Sequence, residues 1–295
     1  MARFWGTRGS LPTAGPETVR YGGNTSCVEV RSSDDDDDVV VLDAGTGIRR
    51  LGAALGPGTR RVDVLLSHLQ MDHIQGLGFF DALFRPGLDV HIWGPRSTTM
   101  EMVRRLARYL SPPLFPIRIA DLDCRLHLHD VPLGTFEVGG FTVTAALVCH
   151  PGPTVGYRIH DRSGSIAYLP DHEPALGVTH FPPEPAWTSG LALADGVALL
   201  IHDAQYSLAE YPSHVGWGHS ALDHAVAFAG VAAVGRLVGF HHDPGHDDAE
   251  LDALFEYGAT LADGSVPLTA AMEGDVFLVG APDAGPVRSS TGDSP

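Results

Sequence analysis

Basic residues are scarce in this sequence. The 295 residues include 19 Lys and Arg against 36 Asp and Glu, a formal net charge of −17 at pH 7. Proteins that grip long nucleic acid carry a basic patch, so this balance argues against such a partner. No run of 18 apolar residues occurs, which excludes a helical membrane span of ordinary length. The first residues, MARFWGTRGSLP, lack the apolar stretch of a secretory signal, and a cytoplasmic location is expected. Only three cysteines are present, Cys27, Cys124 and Cys149. Their odd number and wide spacing argue against a disulfide framework and against a cysteine metal site, and fit a reducing compartment. No repeat appears, and no linker divides the chain.

Apolar strands alternate with amphipathic segments along the chain. Strands are expected at 2–6, 25–31, 39–45, 62–67, 89–94, 135–138, 141–149, 155–160, 165–169, 196–204, 234–243 and 276–280. Helices are expected from about 46, then at 98–110, 219–232 and 247–262. In the second of these, Met102, Leu106 and Leu110 share one face. Met100, Met102, Leu114 and Phe115 offer a lid or a homodimer face; a helix and loop packed on the core is the plainer reading. Asp34–Asp38 fits a solvated loop between strands. The pattern suggests a sheet-rich α/β core with helices outside, in one domain over 1–280. Residues 281–295 are rich in Pro, Gly and Ser and are expected to be disordered.

What stands at the strand ends is chemical. The strand VDVLLS runs into HLQMDH, which places His68, Gln70, Asp72 and His73 on one tight turn. Imidazole nitrogen and carboxylate oxygen suit zinc, manganese or iron. A polar loop with two unrelated histidines would look the same in isolation. Asp43, His150, Asp171, Asp203, His241 and His242 also follow strands as candidate ligands, and strand ends are where α/β sheets place their chemistry.

These segments together carry a resemblance. GTRGSLP (6–12), YGGNTSC (21–27), LDAGTGI (42–48), SHLQMDHIQG (67–76), HPGPTVGYRI (150–159), AYLPDHE (167–173), IHDAQY (201–206), GWGHS (216–220) and GFHHDP (239–244) stand in the order seen in the metallo-β-lactamase fold hydrolases. Within that family the chain resembles the branch of ribonuclease Z and small phosphodiesterases. The resemblance implies a four-layer αββα sandwich, two mixed sheets flanked by helices. It implies two adjoining metal sites, one from His68, position 70 and His150, the other from Asp72, His73 and His242, with Asp171 bridging. His241 rivals His242 for that role. It further implies Asp203 as an acid behind the metal ligands and His219 as a histidine beside the scissile phosphate. Asp72, Asp203 and His219 are the expected catalytic set, with His219 protonating the leaving oxygen.

The chain departs from the family at Gln70, where the family has histidine. An amide oxygen is a weaker donor than imidazole for a transition metal. One tight ion and a second weaker one are therefore expected, as zinc, manganese or iron. Ribonuclease Z carries a tRNA-gripping arm between the positions matching His150 and Asp171; here residues 151–170 leave no room for it. A small phosphodiester is the expected substrate. A lactone, thioester or lactam hydrolase of the same fold, or a non-catalytic metal-binding module, are the alternatives.

Overall fold

The computed structural model describes residues 1–32, 38–174, 176, 177, 181, 188–280 and 285–287. Most of the acidic run at 34–38, much of the Pro-rich loop after Glu173 and residues 281–284 and 288–295 of the tail lie outside them. Within the tail, the Val287 amide donates to the Val276 carbonyl over 2.9 Å.

Two seven-stranded mixed sheets make up the core. The first takes β1 (Ala2–Gly6), β2 (Cys27–Val30), β3 (Asp38–Leu42), β4 (Arg61–Leu65), β5 (Asp89–Gly94), β6 (Arg125–Asp130) and, at its far edge beside β1, β14 (Val276–Phe277). The second takes β7 (Gly134–Val138), β8 (Phe141–Leu147), β9 (Val155–Asp161), β10 (Gly164–Leu169), β11 (Leu199–Asp203), β12 (Leu237–Phe240) and β13 (Leu268–Ala270), in spatial order from one edge to the other. β3 to β6 run parallel, and so do β10 to β13.

Burial explains the layering. β3 and β4 are Val- and Leu-rich and buried on both faces, as parallel strands inside an α/β protein must be. Val40, Leu42 and Leu65 point toward the second sheet, where they meet Tyr157, Tyr168, Ile201 and Phe240. Val39, Val41, Val62 and Val64 point outward to α1 (Ile48–Ala54) and the segment around α3 (Met102–Leu106). The outer face of the second sheet is covered by α4 (Leu191–Ala194), α5 (Leu222–Val231) and α6 (Asp248–Ala262). Helix, sheet, sheet, helix is the expected four-layer sandwich. No helix among the described residues is long and apolar enough to cross a membrane.

Two points of the expected secondary structure need correction. The helix expected over 98–110 is α-helical only at Met102–Leu106. Ser97 and Thr99 hydrogen-bond each other side chain to side chain over 3.1 Å, a local pairing that competes with helical backbone. Met102 and Phe115 are buried against the first sheet, as in the plainer reading of a packed helix and loop, while Leu114 is exposed. β6 and β13 were absent from the expected strands; β6 is a sheet edge with alternating leucines turned inward, and β13 spans three residues.

Candidate metal centre

The loops at the strand ends converge on one buried carboxylate. β4 ends before His68, and the short α2 (Met71–Ile74) carries Asp72 and His73. β8 leads to His150, β10 to Asp171, β11 to Asp203 and β12 to His241. Asp171 stands at the centre. Its Oδ2 lies 3.8 Å from His68 Nε2 and 3.5 Å from His150 Nε2. Its Oδ1 lies 3.0 Å from His73 Nε2 and 3.4 Å from His241 Nε2. Asp72 Oδ2 closes the second group, 3.2 Å from His73 Nε2 and 3.3 Å from His241 Nε2. Two donor sets therefore share Asp171: His68 and His150 on one side, Asp72, His73 and His241 on the other.

The far nitrogens of the rings are held from behind. His73 Nδ1 donates to Asp43 Oδ2 over 2.8 Å, and Asp43 also accepts from Tyr168 and from the Ser67 amide and hydroxyl. His241 Nδ1 donates to Gln205 Oε1 over 2.9 Å. His68 Nδ1 rests on the Ser67 hydroxyl and His150 Nδ1 on Thr154. The Ser10 amide donates to Asp72 Oδ2 over 2.7 Å. Its loop is anchored by Arg8, fully buried, whose guanidinium donates to the carbonyls of Gly22, Asp243 and His246. Gly9 in that loop has a physical reason: a Cβ there would run into the His241 ring.

This donor set fits divalent metal. His68 Nε2, His73 Nε2 and both Asp171 oxygens are buried without a hydrogen bond, though they face one another. Buried polar atoms are mostly partnered in folded proteins, and an ion among these four would satisfy them together. Nitrogen and oxygen donors suit zinc, manganese or iron. The buried groups also shift one another. Burial alone would raise the Asp171 carboxyl, but His241, His73 and His68 hold it well below the usual carboxylate range. Burial would lower His73, yet Asp171, Asp72 and Asp43 push its imidazole well above its usual value. His68, further from that charge, is pushed down to about 3 by burial and by His73.

The structure brings His68, Asp72, His73, His150 and Asp171 together as expected, and it places two residues differently. His242 does not join the cluster; its Nε2 donates to the Ala271 carbonyl over 2.9 Å, and its ring packs edge-on against Tyr21 and Phe255. His241 takes the place. It sits at the end of β12 with φ 60°, and this left-handed turn aims its ring inward and the next one away. Gln70 is exposed at the start of α2 and lines, with His68, a cavity of about 240 Å³. It stands at the rim of the donor set, not within it. Asp43, expected as a candidate ligand, stands behind His73 and outside the donor set; Ser67, Thr154 and Gln205 were not singled out.

His219 and Asp203 form a separate pair against the centre. His219 Nδ1 donates to Asp203 Oδ2 over 2.7 Å and lies 4.0 Å from Asp171 Oδ2. Burial would lower this imidazole, but Asp203, Asp171 and Asp72 raise it to about 9. The Ser220 amide donates to the other Asp203 oxygen over 3.0 Å. The Glu173 carboxylate holds the loop ahead of His219 by accepting from the Gly216 and Gly218 amides and the Tyr211 hydroxyl.

Comparison with known proteins agrees with this fold. A ribonuclease Z of Mycobacterium avium (strain 104) is 28% identical over 81% of this chain and 84% of its own. Among solved structures, the metallo-beta-lactamase fold protein YhfI from Bacillus subtilis superposes with a TM-score of 0.66 at 18% identity, covering 92% of this chain and 96% of that one. A diphosphatase from the PhnP family superposes with a TM-score of 0.61 at 18% identity, over 92% of this chain and 94% of that one. The family model for the beta-lactamase superfamily domain matches residues 39–242, which run from β3 through every residue of the donor set. The chain belongs to the beta-lactamase superfamily.

Proposed function

We propose that this protein is a metal-dependent hydrolase of a small phosphodiester. The observation that carries the reading is the His219–Asp203 pair set beside the bridging carboxylate. His68, His150 and Asp171 would hold one ion, and Asp72, His73, His241 and Asp171 the other; zinc, manganese or iron fits these donors. Bound there, the ions would supply Lewis acidity and a hydroxide nucleophile near neutral pH.

The chain's own groups supply the rest. Breaking a P–O bond leaves an alkoxide that needs a proton. His219, held protonated by Asp203, carries one at a fixed place. Asp203 accepts from His219 and from the Ser220 amide, so the ring is oriented as well as charged. Asp72 is fixed by the Ser10 amide and takes the ligand role. A thioester hydrolase could use the same donors, but a thiolate leaving group has little need of such an acid; a lactone's alkoxide shares that need, and a lactone assayed beside the diesters separates the two.

The similarity to ribonuclease Z favours a second reading, an RNA phosphodiester. The bond is the same; the grip differs. Between His150 and Asp171 the chain forms β9 and β10, paired Asp161 to Gly164 across a tight turn, with no inserted arm. The net charge of −17 repels a polyanion.

The test uses metal-loaded protein on small phosphodiesters of graded leaving group, beside precursor tRNA. Turnover of the small diesters is expected, with tRNA untouched. His219→Ala is expected to lower kcat by roughly 10²–10⁴ for poor leaving groups and much less for nitrophenolate, with metal content unchanged. Efficient tRNA cleavage, or a loss independent of leaving group, would overturn the reading.

A further inference from the structure

The cavity beside His68 is not used by the reaction above. Its walls are His68, Leu69, Gln70, Ser97, Arg105 and the turn at 151–153. Among the described residues that line it, Arg105 is the one Arg, Lys, Asp or Glu. Its side chain is only 15% exposed. One Nη donates to the Pro95 carbonyl over 2.8 Å, and the same nitrogen lies 3.7 Å from Asp130, whose carboxylate is half exposed. The buried Nε has no hydrogen-bond partner. Burial pulls the guanidinium below its usual pKa, with Asp130 opposing. Arginine does not shed its proton in proteins, so the charge stays. A cation so placed, weakly countered and facing a cavity, is poised for a carboxylate or phosphate, which its planar fork fits.

Gln70 belongs to the same wall. It is exposed, neutral and able to donate through its amide, where a metal-bound imidazole would have closed the side of the first donor set. We infer that this cavity receives a second anionic group of the substrate, attached to the scissile phosphoryl group, with Arg105 as its counter-ion. This rests on the phosphodiester reading and deepens it: the substrate class becomes a diphosphate or a carboxylate-bearing phosphoester. It also explains how a chain of net charge −17 draws in a small polyanion, by one local cation and not by its overall field.

The test is equilibrium binding to metal-loaded protein of three non-hydrolysable probes: methylphosphonate, methylenediphosphonate and phosphonoacetate. At least one of the two-anion probes is expected to bind roughly tenfold tighter than methylphosphonate. Which one gains tells a phosphate pocket from a carboxylate pocket. The gain is expected to vanish in Arg105→Met at equal metal content. Should that variant fail to fold, Ser97→Asp places a negative charge in the same cavity and is expected to abolish the gain. Equal affinity of all three probes in the wild type overturns the inference. So does a gain undiminished in the folded variants, which would assign it to the metal ions alone. None of this requires turnover, so a protein that hydrolyses no diester would sink the proposed reaction while the anion site is still judged on its own.

Discussion

On one side of Asp171, the three donors are gripped by strong partners: Asp72 by the Ser10 amide, His73 by the Asp43 carboxylate, His241 by the Gln205 amide. On the other side, His68 and His150 rest on the hydroxyls of Ser67 and Thr154. The first side is sealed, with His73 and His241 fully buried; on the second the His68 and His150 side chains are nearly as buried, but His68 also lines a cavity whose rim is Gln70. A carboxylate behind an imidazole raises its basicity and fixes its tautomer, and such partners are worth about 10–100-fold in metal affinity. The comparison teaches that the loss of an imidazole at position 70 falls on the side already less supported. The two sides are also not independent. Ser67 donates to Asp43 and touches His68 Nδ1, and Asp171 reaches both.

The shared carboxylate gives the largest expected effect. Asp171→Ala should empty both sides, because each loses its common oxygen and the rings lose the charge that holds them. Metal content after dialysis is expected to fall near zero. In His68→Ala the sealed side should keep its ion. Equal retention in both variants would show that the sides do not meet at Asp171.

The next effect separates neighbours in sequence. His241→Ala should cost the sealed side well over the 10–100-fold that an outer partner is worth. His242→Ala should leave metal affinity intact and lower stability by about 1–3 kcal/mol, the cost of an unpaired buried Ala271 carbonyl. Metal titration and denaturant melts of the two variants would read both quantities. The reverse outcome would put His242 back in the donor set.

That pair also shows where the sequence stopped being legible. His68, Asp72, His73, His150, Asp171, Asp203 and His219 are readable because each follows a strand or opens a helix at a fixed place in the motif order. The choice between His241 and His242 depends on one left-handed residue, and no residue pattern announces φ 60° at a histidine. The layers are legible for a similar reason, since Val39–Leu42 is apolar without alternation and Val62–Leu65 is broken only by Asp63, and both runs are buried on both faces. The partners behind the rings are not. Gln205 reaches His241 only because β11 pairs with β12, and Thr154 reaches His150 across a turn. The helix over 98–110 was half legible. Its apolar face is right, since Met102, Leu106 and Leu110 are buried together, but local hydroxyl pairing at Ser97 and Thr99 keeps its first turn from forming.

The smallest and sharpest effect is expected at Gln70. The sealed side has three donors plus Asp171, and the open side has two plus Asp171. A titration of wild-type protein should therefore show one tight ion and a second bound much more weakly. Gln70 lines the same cavity as His68, so an imidazole at that position has only to turn inward to add a third donor beside His68 and His150. Gln70→His is expected to raise occupancy toward two ions per chain, with roughly a tenfold gain in affinity for the second and little change for the first. It should also narrow the cavity and weaken binding of the two-anion probes, since the amide that opened the wall is gone. Elemental analysis of wild type beside variant, with the same probe titrations, reads both changes. Two tight ions already present in the wild type would mean that the hydroxyl-supported side is as strong as the sealed one, and that position 70 matters for access alone.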